Sequence, residues 1–428
     1  MSAESRNAAE PEKWRLLLAY LAFLYFLQGS MAGFCGIYLI GQLRLRGLDQ
    51  SSVASLLAAG GLASSLKPLW TILFAPVLDR ASRGRGSALA LILLPALLGL
   101  FVLASPWLLP RVHLSPALVF GVYVLIAVLD LATDGVAVRT VPDRSKDLCN
   151  GLMWSANYLG SILGGALLTW LAAHGHGTAG AGLLGCLLVL SGAVRRHAAA
   201  GAADPRPSIA SNAWTRLGAN AAQLWHELNR KGWGLFALCL AATAPTAVAG
   251  NLLMERFVHT GALSPHAYAL TKGGASALAG ALGALVAGLV AARSRSSRLL
   301  FGAAVLQTLV WLACLLLPLH TAGATLLVAT DDFLQSAWST FLLGFLMRRA
   351  AGPYGATMFG LLMAALNFSG VIGEGIFVGT RGFLSPLGGL GLAAGLQGLF
   401  LAVAAQASWR RTDPEPARGA SVLPEAAC

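Results

Sequence analysis

Residues 16–40 read LLLAYLAFLYFLQGSMAGFCGIYLI, a run without one charged side chain. A helix rises about 1.5 Å per residue, so roughly twenty apolar residues cross a bilayer. This run is long enough to span and too long for the apolar core of a signal peptide. The polar segment before it, 1–13, also lacks the form of a cleavable leader, so none is expected. Reading outward, eleven further runs meet the same standard. They lie near 52–78, 87–109, 115–138, 150–172, 178–194, 233–254, 267–292, 299–317, 321–346, 356–378 and 384–407. Transmembrane β-strands alternate in polarity, and these continuous runs do not. The expected fold is therefore an all-α integral membrane protein with twelve transmembrane helices.

Composition agrees. Of 428 residues, 56% are hydrophobic and 11% are charged, and mean hydropathy is +0.68. A soluble domain carries about 25% charged residues, so lipid must solvate much of this surface. The fifty glycines suit close helix packing in a membrane. The net charge of +12 does not point to nucleic acid, because the basic residues punctuate the apolar runs and form no patch. The six cysteines, Cys35, Cys149, Cys186, Cys239, Cys314 and Cys428, are scattered without a CxxC pair. They read as small packing residues, with no disulfide framework and no metal site. No cofactor is expected. The eight histidines lie mostly at loops or interfaces. They form no catalytic cluster, which argues against a membrane-embedded enzyme. His174-Gly-His176 is too sparse for a metal centre.

Charge also orients the chain. Of the 30 lysines and arginines, 23 fall in the two termini and the even-to-odd connections, and 5 fall on the other side. That bias places both termini in the cytoplasm, with the protein in the cytoplasmic (inner) membrane. The expected organisation is a short N-terminus (1–15), a first bundle (16–194), a central cytoplasmic loop (195–232), a second bundle (233–407) and a tail (408–428). Within the loop, residues 214–228 fit either a short amphipathic surface helix or a plain linker.

An offset of 210 residues relates the two bundles. Asn157, Gly160 and Gly165 of helix 5 map onto Asn367, Gly370 and Gly375 of helix 11, and Arg139 maps onto Arg349. Two parallel six-helix repeats joined by a longer loop are a known transporter plan.

Charges inside the runs are costly and mark function or a structural pair. Lys67 lies twelve residues before Asp79, which puts it about 18 Å from that end of its helix. A lysine cannot snorkel so far, so it must meet a cavity or an acid. Asp130 and Asp134 share one face of helix 4. Paired carboxylates in a dry site repel, which suits one of them to carrying a proton. Asp134 also fits a place at the cytoplasmic mouth. Asp331 and Asp332 on helix 10 point about 100° apart, so at most one faces a central path. Glu374 sits deep in helix 11 between two glycines. Lys272, near the start of helix 8, reads best as an interfacial anchor. Gln28, Asn157, Gln307, Gln335 and Asn367 can bind substrate or another helix. The candidate path is thus Gln28, Lys67, Asp130, Asp134, Asn157, Asp331, Asp332, Asn367 and Glu374.

Residues 75–85, APVLDRASRGR, resemble the major facilitator loop signature G-x-x-x-D-R-x-G-R-R through Asp79, Arg80 and Arg83. Ala75 and Ser82 stand where that signature has glycine, and Gly84 where it has its last arginine. The resemblance implies a cytoplasmic gate formed by Asp79, Arg80, Arg83 and, at the end of helix 4, Arg139. Three further segments are similar to the peptide–acetyl-CoA–drug transporter branch, with its AmpG-type muropeptide permeases and rhizobactin/pyochelin-type siderophore permeases. They are Tyr25-Phe-Leu-Gln28-Gly29, Ser65-Leu-Lys67-Pro-Leu-Trp70, and Asp130-Leu-Ala-Thr-Asp134 running on to Arg139 and Asn150-Gly151. This resemblance implies a major facilitator fold with the helix 2 lysine and the helix 4 aspartates in the transport path. The Lys67 to Asp79 spacing is about four residues longer than usual, one helical turn. Muropeptide permeases often add two helices, which this chain lacks, and that favours the siderophore branch.

The expected function is secondary active transport by alternating access, with proton-coupled import of a siderophore or its iron complex. Muropeptide or other amphipathic metabolite import, drug or metabolite export, and a non-transporting sensor are the alternatives. The expected partners are a small-molecule substrate, protons and the bilayer, with no nucleic acid, and the chain is expected to be a monomer.

Overall fold

The computed structural model describes residues 3–45, 50–70, 73–74, 86–108, 116–198, 222, 225, 229, 233–294, 297–317, 320–350, 355–380 and 382–409. Among them there is helix throughout and no strand. In lipid every backbone polar group must be paired within the protein, and a helix does this locally.

The first bundle begins with α1, which runs Ala3–Gly33, a π-helical stretch Phe34–Leu39, and Ile40–Leu45. α2 runs Gln50–Ser65 and resumes at 67–70 after a turn at Leu66. α3 is Gly86–Leu108 and α4 is Pro116–Thr140. α5 runs Lys146–Ser161, a π-helical stretch Ile162–Leu167, and Leu168–Ala173. α6 is Gly177–Ala198. The second bundle begins with α7, Trp233–Ala242 and Ala244–His259. α8 runs Pro265–Thr271, a π-helical stretch Lys272–Ser276, and Ala277–Ser294. α9 is Ser297–Leu316, α10 Thr321–Ala350, α11 Gly355–Thr380 and α12 Pro386–Trp409. Nine of the described helices are long and apolar enough to cross a membrane. With α2, α6 and α10 they make twelve. The expected amphipathic segment 214–228 lies largely outside the described residues, as does the tail after 409.

Sequence explains the breaks. Pro68 has no N–H, so α2 cannot close a regular bond there, and Leu69 N–H reaches Leu66 O instead at 2.9 Å. Pro245 does the same to α7. At the break just before it, Ser369 Oγ of α11 accepts the N–H groups of Thr243 (3.1 Å) and Ala244 (2.9 Å). The π-helical stretches of α1, α5 and α8 adjoin one another. Each swings the side chains that follow it by part of a turn.

Small residues set the helix spacing. A Cβ at Gly29, Gly160 or Gly164 would overlap a backbone carbonyl across the α1–α5 contact. The 210-residue offset holds in part. Gly160 packs α5 on α1, and Gly370 faces Thr243 of α7, but Gly375, the expected mate of Gly165, meets open space.

The apolar core shows where the two bundles join. One cluster draws on both, with Leu18, Leu21, Ala137, Val138 and Met153 against Leu346, Met347, Met358, Phe359 and Leu362. It lies toward the face where α1 begins and α12 ends. Toward the opposite face the core divides into a cluster around Leu27, Phe34 and Leu98 in the first bundle and one around Val248, Phe257 and Trp311 in the second.

Candidate functional site

Lys67 is 5% exposed and forms an ion pair with Asp130 of α4. One turn on, Asp134 is 1% exposed, and its Oδ1 accepts the Tyr25 hydroxyl of α1. Its other oxygen, Oδ2, is buried with no hydrogen-bond partner among the described residues. Gln28 Nε2 donates to Thr133 Oγ1 at 3.3 Å, so Gln28 joins the same group. Tyr25, Trp154 and Tyr158 form a row, with successive ring centroids 6.3 Å apart. Three helices therefore deliver one lysine, two carboxylates and a phenol to one spot, and a lone buried charge there would be untenable.

Asn157 does not reach this group with its amide. Its Nδ2 donates to the backbone carbonyl of Tyr25 at 3.4 Å and ties α5 to α1. Asn367 donates to the carbonyl of Ser64 on α2 at 3.4 Å and ties the second bundle to the first.

In the second bundle Lys272, expected as an interfacial anchor, has an acidic partner. Its Nζ lies 2.8 and 2.9 Å from the two oxygens of Asp332. The π-helical turn that opens at Lys272 carries it toward α10. The neighbouring Asp331 has different partners. Its Oδ1 accepts Gln307 Nε2 at 2.9 Å and Trp311 Nε1 at 2.8 Å, both from α9. Gln307 Oε1 in turn accepts Trp338 Nε1 at 2.7 Å. Glu374 stands apart, exposed between α11 and α7, and accepts Asn251 Nδ2 at 2.9 Å.

Asp79, Arg80 and Arg83 of the loop signature, and the side chain of Arg139, lie outside the described residues. The described part of that face holds a second set of contacts between the bundles. Asp147, at the start of α5, is 1% exposed and forms an ion pair with Arg348 of α10. Beside it Lys146 Nζ reaches Asp143 Oδ1 at 2.7 Å and the carbonyl of Met347 at 3.4 Å. Asn150 Nδ2 donates to Thr340 O at 3.1 Å. The helices touch at glycines, since a Cβ on Gly151 would lie 2.7 Å from Gly288 Cα.

Sequence reading missed the pairing of Asp147 with Arg348, because terminal charges look alike whether they anchor a helix or bind a partner. It also gave Tyr25 no role. The signal was present: a tyrosine one turn from Gln28 in an otherwise apolar helix has a hydroxyl that must find an acceptor. Among the described residues, no three or more metal-ligating side chains gather.

Two six-helix bundles with this order of helices and a shared core are the major facilitator fold. Solved structures with the same arrangement include a major facilitator superfamily transporter, FucP, in the outward conformation. It matches with a TM-score of 0.63 at 14% identity, over 92% of this chain and 99% of that one. A variant of the E. coli fucose:proton symporter FucP matches with a TM-score of 0.62 at 15% identity, over 92% and 98%. No protein-family model and no curated protein matches the chain.

Proposed function

We propose that the chain is a secondary transporter of the cytoplasmic membrane that works by alternating access and imports an anionic solute together with protons. The observation that carries this reading is the Lys67–Asp130 pair with Asp134 and Tyr25 beside it. A cation, a paired acid and a second acid held by a neutral donor sit within a membrane-spanning bundle. Lys67 can hold an acid group of the substrate once Asp130 takes up a proton, and Asp134 can relay that proton. The Lys/Arg distribution favours termini in the cytoplasm. The bundles 16–194 and 233–407 then rock about the site, and the Asp147–Arg348 contact closes the cytoplasmic face. The expected Asp79, Arg80, Arg83 and Arg139 gate would act on that same face. FucP matches as an outward conformation, which is consistent with a seal on the side of the termini.

For the substrate, the sequence resemblance favours a siderophore or its iron complex, with a muropeptide or similar amphipathic metabolite second. Both carry acid groups suited to Lys67.

The test is uptake into proteoliposomes under an imposed proton gradient. Accumulation of a ferric carboxylate siderophore only when the outside is acid is expected, and Lys67→Ala should abolish it with membrane insertion intact. Transport unchanged by Lys67→Ala would overturn the reading.

A further inference from the structure

The two bundles carry the same charged kit. In the first, Lys67 of its second helix pairs with Asp130 of its fourth. In the second, Lys272 of its second helix pairs with Asp332 of its fourth. Each fourth helix also bears another acid that uses neutral donors: Asp134 with the Tyr25 hydroxyl, and Asp331 with the Gln307 amide and the Trp311 indole.

Both pairs remain partly open, with side-chain exposures of 6% and 14% for Lys67 and Asp130, and 33% and 14% for Lys272 and Asp332. Each fourth helix touches the other bundle. α4 packs against α1, α2, α3 and α11, and α10 packs against α5, α8, α9 and α11. The pairs thus sit on the two helices that meet the opposite bundle, α4 at α11 and α10 at α5. An aromatic row leads from the first pair's neighbour Tyr25 to α8, the helix of Lys272. Tyr25 and Trp154 are followed by Tyr158, whose ring lies 2.8 Å from where a Cβ on Gly280 of α8 would stand.

A lysine away from water needs an anion beside it. A substrate acid group can take the aspartate's place only if the aspartate is neutralised, and a proton does that without moving the lysine's charge. Each pair thus accepts one acid group and one proton. We propose that Lys67 and Lys272 are the two ends of one binding site, and that its ligand is an organic acid with two separated carboxylates or similar anionic groups joined by an apolar or aromatic middle. The proposal rests on the transport reading above and deepens it. A dianion entering with two protons carries no net charge across the membrane.

The test uses purified protein in nanodiscs, with thermal stabilisation by adipate, suberate and sebacate compared with that by their monomethyl esters. Paired neutral variants, K67M/D130N and K272M/D332N, remove each lysine without stranding its aspartate. Wild type should prefer the best diacid over its ester by about tenfold in affinity, the discrimination expected of one charge-assisted contact. K272M/D332N should lose that preference and keep ester binding. A preference that survives in K272M/D332N overturns the second end of the site while leaving the Lys67 reading intact. Diacid and ester binding unchanged in K67M/D130N overturns the transport reading itself. Absence of any shift with all three diacids on wild type also overturns the proposal.

Discussion

Asn367 of α11 donates its amide to the carbonyl of Ser64 on α2, the carbonyl whose regular helical donor would be residue 68. Residue 68 is proline, so the donor is missing in the chain and is supplied from the other bundle. A defect written into α2 beside Lys67 is thus repaired across the interface between the bundles.

That repair has a measurable signature. Asn367→Ala should destabilise the protein by about 1 kcal/mol, the cost of leaving a half-buried carbonyl without its donor. Pro68→Ala restores an N–H at the correct position. In that background Asn367→Ala should cost little, and a thermal-denaturation double-mutant cycle reads the difference. Equal costs in both backgrounds would show that Ser64 is satisfied otherwise.

Asp147 and Arg348 should behave as a latch. Removing one member of a buried pair costs about 3 kcal/mol or more, because its partner is stranded. Asp147→Ala should therefore open the face that bears the termini, and a cysteine placed at Met347 should label faster with a membrane-impermeant reagent. Exchanging the charges, D147R with R348D, should restore slow labelling in part. Gly344→Ala should loosen the latch without removing a charge, since its Cβ would overlap Asp147 Oδ1.

Asp134 should divide driven uptake from exchange. Asp134→Asn cannot carry a proton but keeps an oxygen for the Tyr25 hydroxyl. Net uptake driven by a proton gradient should fall at least about tenfold, while substrate counterflow, which needs no net proton movement, persists. Tyr25→Phe removes the hydroxyl donor and should also slow driven uptake more than counterflow. Loss of both activities together in Asp134→Asn would assign the residue to substrate binding.

Gln397 of α12 is 1% exposed, and neither its amide nitrogen nor its oxygen has a partner among the described residues. Gln397→Leu keeps its size and removes two unsatisfied groups. It should stabilise the protein by about 1–3 kcal/mol, read as a rise in melting temperature in detergent.

The twelve helices were legible along the chain because bilayer thickness acts on every helix separately. A run such as 16–40 satisfies it with no knowledge of its neighbours. Lys67, Asp130 and Asp134 were legible as well, since a charge in an apolar run is costly wherever that run goes. Which charges meet was decided only in three dimensions. Asp331 and Asp332 are adjacent in sequence, yet the turn of α10 sends one to Gln307 and Trp311 and the other to Lys272. The pairing of Lys272 with Asp332 depends on where α8 begins and on a π-helical turn, and neither has a strong local signal. Asp147 and Arg348 read as ordinary loop charges until the bundles closed on them. Local hydrophobicity thus determined the helices, whereas the pairing of charges depends on rotation and register between helices, which packing at glycines such as Gly151 and Gly288 decides.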